Sequence, residues 1–473
     1  MKRLAAYLPL LALAGCAVGP NYRQPAAVAP AAAPFQAGLA VDPAGALPDR
    51  WWSLYADPVL DALVGEALAH NSDLRVAAAN LERAQAVIRE NRSALLPTTQ
   101  ITGGANRGRD TGGGKTTTVY NGGFGLSYEV DLFGRVRRSI EAARADAASL
   151  EATRDAVRVS IAAATTQAYF DACLLGARVD VANRSVALVS TSYALTKRQI
   201  ALGVGSDYDL SRVGVLVEQT RAAAAQLDAL RAQSLYDLTV LLGRPAIQVP
   251  PEALACRAAP RLTRAIPIGD GAGLIARRPD IRSAERSLAA DTARIGIATA
   301  DLFPTITLGG SVGATGTGLK SALSRQGVSF GFGPLISWFF PNIVAARARV
   351  AEAGADARAS LARFAGTVLT ALGEVQRALA AYDGEIRRNE ALSAAVANSR
   401  RAYQLSGVRV QYGSISQLEQ LDVQRDLIDT EAALAESDAT LGDAQVQLFR
   451  ALGGGWQDAP AIDPRPRAVT PAR

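Results

Sequence analysis

The same pattern is written twice along this chain. Residues 71–103 and 278–310 align at a constant offset of 207, which brings Asp73 onto Asp280, Arg75 onto Arg282, Leu81 onto Leu288, Ile88 onto Ile295 and Pro97-Thr98 onto Pro304-Thr305. The offset carries Phe133 onto Phe340. After a three-residue slip the match continues as Tyr193/Tyr403, Leu195/Leu405, Gly203/Gly413 and Leu242-Gly243/Leu452-Gly453. A duplication this long means that one supersecondary unit is used twice. The 473 residues therefore form one integrated body of two similar halves, not two or three unrelated domains.

Each half carries two segments of period-two alternation. In 122–132, Phe124, Leu126, Tyr128, Val130 and Leu132 oppose Gly123, Gly125, Ser127, Glu129 and Asp131. In 304–314, Ile306, Leu308, Val312 and Ala314 oppose Thr305, Thr307, Gly309, Ser311 and Gly313. Segment 326–340 sets Val328, Phe330, Phe332, Ile336, Trp338 and Phe340 against Ser329, Gly331, Gly333 and Ser337. Segment 97–107 is weaker, with Ile101, Gly103 and Ala105 opposite Gln100, Thr102 and Gly104. The strands expected at about 97–107, 120–132, 304–314 and 326–340 are long enough to cross a bilayer at a tilt, with lipid on the apolar face and water on the small one. A half-buried soluble sheet is the competing reading. Four strands cannot close a barrel, and an open edge in lipid leaves backbone groups unpaired at several kcal/mol each. The membrane reading thus requires oligomerisation.

Between the strand pairs lie helical runs. Residues 135–200 and 342–411 contain no proline, and at about 1.5 Å per residue each reaches roughly 100 Å. Val136, Ile140, Ala143, Ala147, Leu150, Val157, Ile161, Ala164 and Ala168 step 4-3-4-3 in the first run, interrupted by Arg154. Val368, Leu372, Val375, Leu379, Tyr382 and Ile386 do so in the second. A mean step of 3.5 is the seam of supercoiled helices. Shorter helices are expected at 72–95, 206–242, 279–302 and 416–452. Glycine turns at Leu202-Gly203-Val204-Gly205 and Tyr412-Gly413-Ser414-Ile415 form two hairpin tips. The segmentation is then 1–15 signal, 16–70 N-terminal segment, 71–244 first repeat, 245–277 connector, 278–452 second repeat and 453–473 flexible tail. The Pro-, Gly- and Ala-rich parts belt the middle or act as connectors.

The first residues address the chain. Lys2-Arg3 precede an apolar stretch, Leu4 to Leu13, too short to span a bilayer, and Leu13-Ala14-Gly15-Cys16 is a lipobox with Cys16 as the lipidated mature N-terminus. Ala17 and Val18 follow with no aspartate to hold the lipoprotein at an inner membrane, so an outer-membrane destination is expected. The formal net charge of +6 is spread along the helices among acidic residues, which speaks against nucleic acid as a partner. Beyond Cys16 only Cys173 and Cys256 remain; two cysteines do not make a disulfide framework, and the reading leans to free thiols. His70 is the only histidine, which removes histidine-based triads and zinc sites. Residues 108–116, GRDTGGGKT, have the wrong glycine spacing for a phosphate loop and read as an exposed Gly/Thr loop. No enzyme signature, metal site or cofactor is expected beyond the covalent lipid on Cys16.

Cys16-Ala17-Val18-Gly19-Pro20-Asn21-Tyr22, Trp51-Trp52-Ser53-Leu54-Tyr55-Ala56-Asp57-Pro58, Asn71-Ser72-Asp73-Leu74, the paired Leu-Leu-Pro-Thr and Leu-Phe-Pro-Thr turns and Leu421-Asp422-Val423-Gln424-Arg425 resemble the outer-membrane factor lipoproteins, the NodT/OprM-type branch of the TolC-like efflux channels. The resemblance covers essentially the whole mature chain. It implies a homotrimer in which four strands per subunit complete a 12-stranded β-barrel continuous with a periplasmic α-barrel. Its implied partners are outer-membrane lipid, a periplasmic adaptor and an inner-membrane pump. It also implies that the tips, Leu202, Gly203, Val204 and Gly205 with Tyr412, Gly413, Ser414 and Ile415, close the periplasmic end and meet the adaptor. Relatives often place an acid where Ile415 stands. Asp207 and Asp209, with Glu129 and Asp131 on the small face of the second strand, are candidate lumen acids, although helix-start preferences favour Asp207 and Asp209 as caps of helix 206–242. The expected function is a passive, gated exit duct for small molecules. A lipid-anchored periplasmic adaptor or a coiled-coil spacer is the alternative.

Overall fold

The computed structural model describes residues 17–25, 35, 38, 40–109, 116–341 and 343–462. The signal segment, Cys16, residues 110–115 of the Gly/Thr loop and most of the tail lie outside the described residues. The strands are β1 Val41–Asp42, β2 Thr98–Arg109, β3 Thr116–Val130, β4 Ile266–Pro267, β5 Thr305–Gly316 and β6 Val328–Ser337. The helices are α1 Pro58–His70, α2 Ser72–Ser93, α3 Arg135–Ala201, α4 Asp207–Leu241, α5 Pro251–Ala255, α6 Gly271–Arg277, α7 Pro279–Ala300, α8 Leu319–Ala322, α9 Val344–Gln411 and α10 Gln417–Leu452. No described helix is long and apolar enough to cross a membrane. Two compact units divide the chain, one made of Met1–Ala26, Asn80–Ala152 and Arg282–Thr367, the other of Ala27–Ala79, Thr153–Ile281 and Val368–Arg473.

The first unit holds a four-stranded antiparallel sheet in the order β2-β3-β5-β6. β3 starts at Thr116, earlier than its apolar alternation begins, because Thr116, Thr117 and Thr118 pair with Arg109, Gly108 and Arg107. β-branched threonine suits a pleated strand, and this shortens the loop read from the glycines. The chain just after Cys16 is fastened to the same unit. The Val18 amide donates to the Phe133 carbonyl at 3.1 Å, and the buried Arg138 guanidinium reaches the Val18 and Gly19 carbonyls, each at 3.2 Å, and Asn21 Oδ1 at 2.8 Å. Gly19, at φ +87°, lies so close to Gly296 that a Cβ would sit 2.5 Å from its Cα. Ser149 on α3 donates to the Ser283 carbonyl on α7 at 3.0 Å.

The second unit is built on an aromatic core. A 3-10 turn at Trp51–Tyr55 buries both tryptophans, with Trp51 stacked on Phe449 of α10 at 4.6 Å and Tyr55 edge-on to Phe170 of α3 at 4.9 Å. Asp57 caps α1 through the Val59 amide at 2.8 Å, with Pro58 at the first helical position, and α1 buries Leu60, Leu63, Val64, Ala67 and Leu68. Asp49 accepts four successive backbone amides, Gly455 to Asp458, at 2.8–3.2 Å, tying the end of α10 to the turn. The seam positions Val368, Val375, Leu379 and Tyr382 of α9 are buried. Cys173 and Cys256 form a disulfide. The expectation of free thiols is therefore corrected: Cys173 is fully buried on α3 where the segment after α5 crosses it, a proximity that a separation of 83 residues conceals.

Candidate functional site: one sheet face and two helical tips

Register decides what the sheet can do. Cross-strand partners share a face, and the pairs Ile101↔Phe124, Phe124↔Val312 and Val312↔Phe330 run one apolar row across all four strands. A second row runs Val130↔Ile306↔Ile336. A Cβ added at Gly310 would touch the Phe332 ring at 3.4 Å, so the glycine leaves room for its cross-strand aromatic. The opposite face carries Thr102, Gly123, Gly313 and Ser329 in one row and Gln100, Gly125, Ser311 and Gly331 in another. Ile101 and Phe330 are 84% and 86% exposed, and they belong to β2 and β6, the two strands of this sheet with a single neighbour among the described residues. An amphipathic sheet with exposed aromatics on its apolar face and two unpaired edges matches the needs of a lipid-facing barrel segment.

The acids read on the small face near its end are engaged locally. Glu129 accepts from Arg135 Nε at 2.9 Å. Asp131 accepts the Val136 and Arg137 amides, each at 3.0 Å, at the start of α3.

The second candidate region lies in the other unit, where the two tips repeat one geometry at an offset of 210. Gly203 and Gly413 take left-handed φ values of +75° and +68°. The Gly203 amide donates to Ile200 O and the Val204 amide to Gln199 O, both at 2.9 Å; Gly413 and Ser414 do the same to Val410 and Arg409 at 2.9 Å. This paired bonding closes a helix end and needs a residue without Cβ strain at the left-handed position. Ser206 then caps α4 and Ser416 caps α10, each accepting the amide three residues on, from Asp209 at 3.2 Å and Glu419 at 3.1 Å. The cap of α4 is thus Ser206. Asp207 and Asp209 occupy its first turn, and Asp209 accepts the Ser206 hydroxyl at 2.6 Å.

Leu202, Val204 and Tyr412 stand 77%, 75% and 83% exposed, while Ile415 is half-buried. Behind the tips, α3 and α10 are joined by Gln199 Nε2 to Gln417 Oε1 at 2.7 Å and Ser192 Oγ to Gln424 Oε1 at 3.0 Å. Arg212 of α4 lies 3.9 Å from Asp422 of α10. These cross-links were not anticipated from the sequence. Their one visible signal was the Leu421–Arg425 motif, whose Asp422 and Gln424 both make them. Among the described residues no three His, Cys, Asp or Glu side chains come together as a metal site would require.

The model of the family described as "Outer membrane efflux protein" matches residues 63–244 and 273–454, once per half. The chain belongs to the outer membrane efflux protein family. It is 34% identical over 473 residues to the outer membrane protein OprJ of Pseudomonas aeruginosa, covering 97% of each chain. It is 33% identical over 460 residues to the probable efflux pump outer membrane protein TtgC of Pseudomonas putida, covering 94% of each. The structure superposes on that of the outer-membrane channel OprN with a TM-score of 0.85 at 34% identity, covering 93% of this chain and all of the other. As a member of this family, the protein is the outer-membrane component of an efflux system and extends into the periplasm.

Proposed function

We propose that three copies of this chain assemble into a 12-stranded β-barrel, four strands from each, continuous with a barrel of the long helices. Solutes would leave through it passively. The observation that carries this reading is the pair of single-neighbour strands: β2 and β6 expose unpaired backbone beside an apolar, aromatic face. In lipid those groups must find partners, and another copy's complementary edge supplies them. Four strands per copy and three copies give a bore that side chains do not fill. Energy would come from an inner-membrane pump through a periplasmic adaptor. The TtgC relative's description as an efflux-pump outer membrane protein supports that partnership.

In this reading the tips, 202–205 and 412–415, constrict the periplasmic end and meet the adaptor. Exposed Leu202 and Val204 with half-buried Ile415 would restrict flow by excluding water. Cys16 carries acyl chains that add a second attachment to the outer membrane. Asp207, Asp209, Glu129 and Asp131 are the acids assigned to the lumen. The test is assembly: purified protein should migrate as a heat-modifiable species, and cysteines placed at Thr102 and Gly331 should cross-link into trimer-sized products. Monomer in detergent with no such products would reject it.

A further inference from the structure

Gln424 sits inside the hairpin packing at 1% exposure. Along α10 it is flanked by Leu421 and Ile428, both packed on the buried cluster of Val189, Val213, Leu216 and Val217 from α3 and α4. Its Oε1 accepts from Ser192 at 3.0 Å, but its buried Nε2 has no acceptor among the described residues. A buried amide donor left unmet shifts an equilibrium against the arrangement that holds it by roughly tenfold or more.

One helical turn further, Ile428 lines a half-open, mainly apolar groove of about 90 Å³ with Val181, Ala182, Leu227, Ser185 and Thr220, and Arg178 on its wall. The Ser185 hydroxyl donates to Val181 O at 3.1 Å and that of Thr220 to Leu216 O at 2.9 Å, and each retains lone pairs able to accept. The helices at this level are therefore not closely filled against one another, and unused acceptors line the groove between them. Interfaces of this kind switch between discrete arrangements more readily than close-packed ones deform.

We propose that Gln424 is a built-in destabilising residue of the α3–α10 contact, and that its polarity sets how readily the hairpin tips part. Gating by the tips is taken from the proposed function; the packing claim is independent of it. The test uses the full chain in detergent, with trimer mass checked first. Gln424→Leu keeps the size and removes the unmet donor. Amide exchange across 416–430, read by mass spectrometry, is expected to slow roughly tenfold. Ser192→Ala removes the one partner and is expected to speed exchange there. Unchanged or faster exchange in Gln424→Leu, or both variants moving the same way, overturns the packing claim.

Single-channel recording then reads the gating half. Gln424→Leu is expected to lower the open fraction and Ser192→Ala to raise it, and an unchanged open fraction overturns that half. A wild-type protein that passes no current would instead overturn the channel reading and leave the exchange result standing.

Discussion

Asp171 on α3 and Asp443 on α10 accept hydrogen bonds from the same donor, the side-chain amide of Gln167, which lies 3.0 Å from Asp171. Burial, with the Asp443 charge second, pushes the Asp171 carboxyl up to about 6, and burial raises Asp443 as well. The unfolded value is near 3.9, so the folded state binds the extra proton. Stability from Asp171 is fully present below pH 4 and is lost as pH rises through 6. The protein is expected to gain about 1 kcal/mol between pH 7 and pH 5 from Asp171. Asp171→Asn should flatten that slope in thermal melts. A slope that persists unchanged would place the titration elsewhere.

The Cys173–Cys256 bond closes a long loop against α3. Reduction, or the paired change to serine, is expected to cost about 2–4 kcal/mol, seen as a lower unfolding midpoint of the otherwise untreated protein. Equal midpoints with and without reductant would show that the α5 segment is held without it.

Arg138 binds three groups of the strap at 18–21 while almost fully buried. Arg138→Ala should free that strap and leave three acceptors unmet, at about 3 kcal/mol in all. Limited proteolysis is expected to cut within 17–25 in the variant and not in the parent.

Gly203 and Gly413 hold the same left-handed position in the two halves. Valine at either is expected to cost about 1–2 kcal/mol, with similar losses because a Cβ at each meets open space, so strain alone sets the penalty. Unequal losses measured by denaturant unfolding would mean that the tips are not equivalent.

The sequence showed most of this architecture because the periods are strict. Alternation of two placed Phe124, Val312 and Phe330 on one face, and the register confirms that face across the sheet. The seam of α9 was equally legible at Val375 and Leu379. What escaped were contacts between residues distant in sequence: the proximity of Cys173 and Cys256 across 83 positions, and, between residues of no special type, Ser192 with Gln424 and Asp49 with the amides of 455–458. Helix α1 was hidden in a Pro- and Ala-rich segment, although Asp57-Pro58 is a cap followed by proline at the first turn and marked its start.

The most direct measurement is current through a planar lipid bilayer carrying purified protein of known oligomeric mass. Trimers that open discrete, voltage-resolvable steps are the predicted result. Folded protein that stays monomeric and leaves the bilayer insulating would contradict the account.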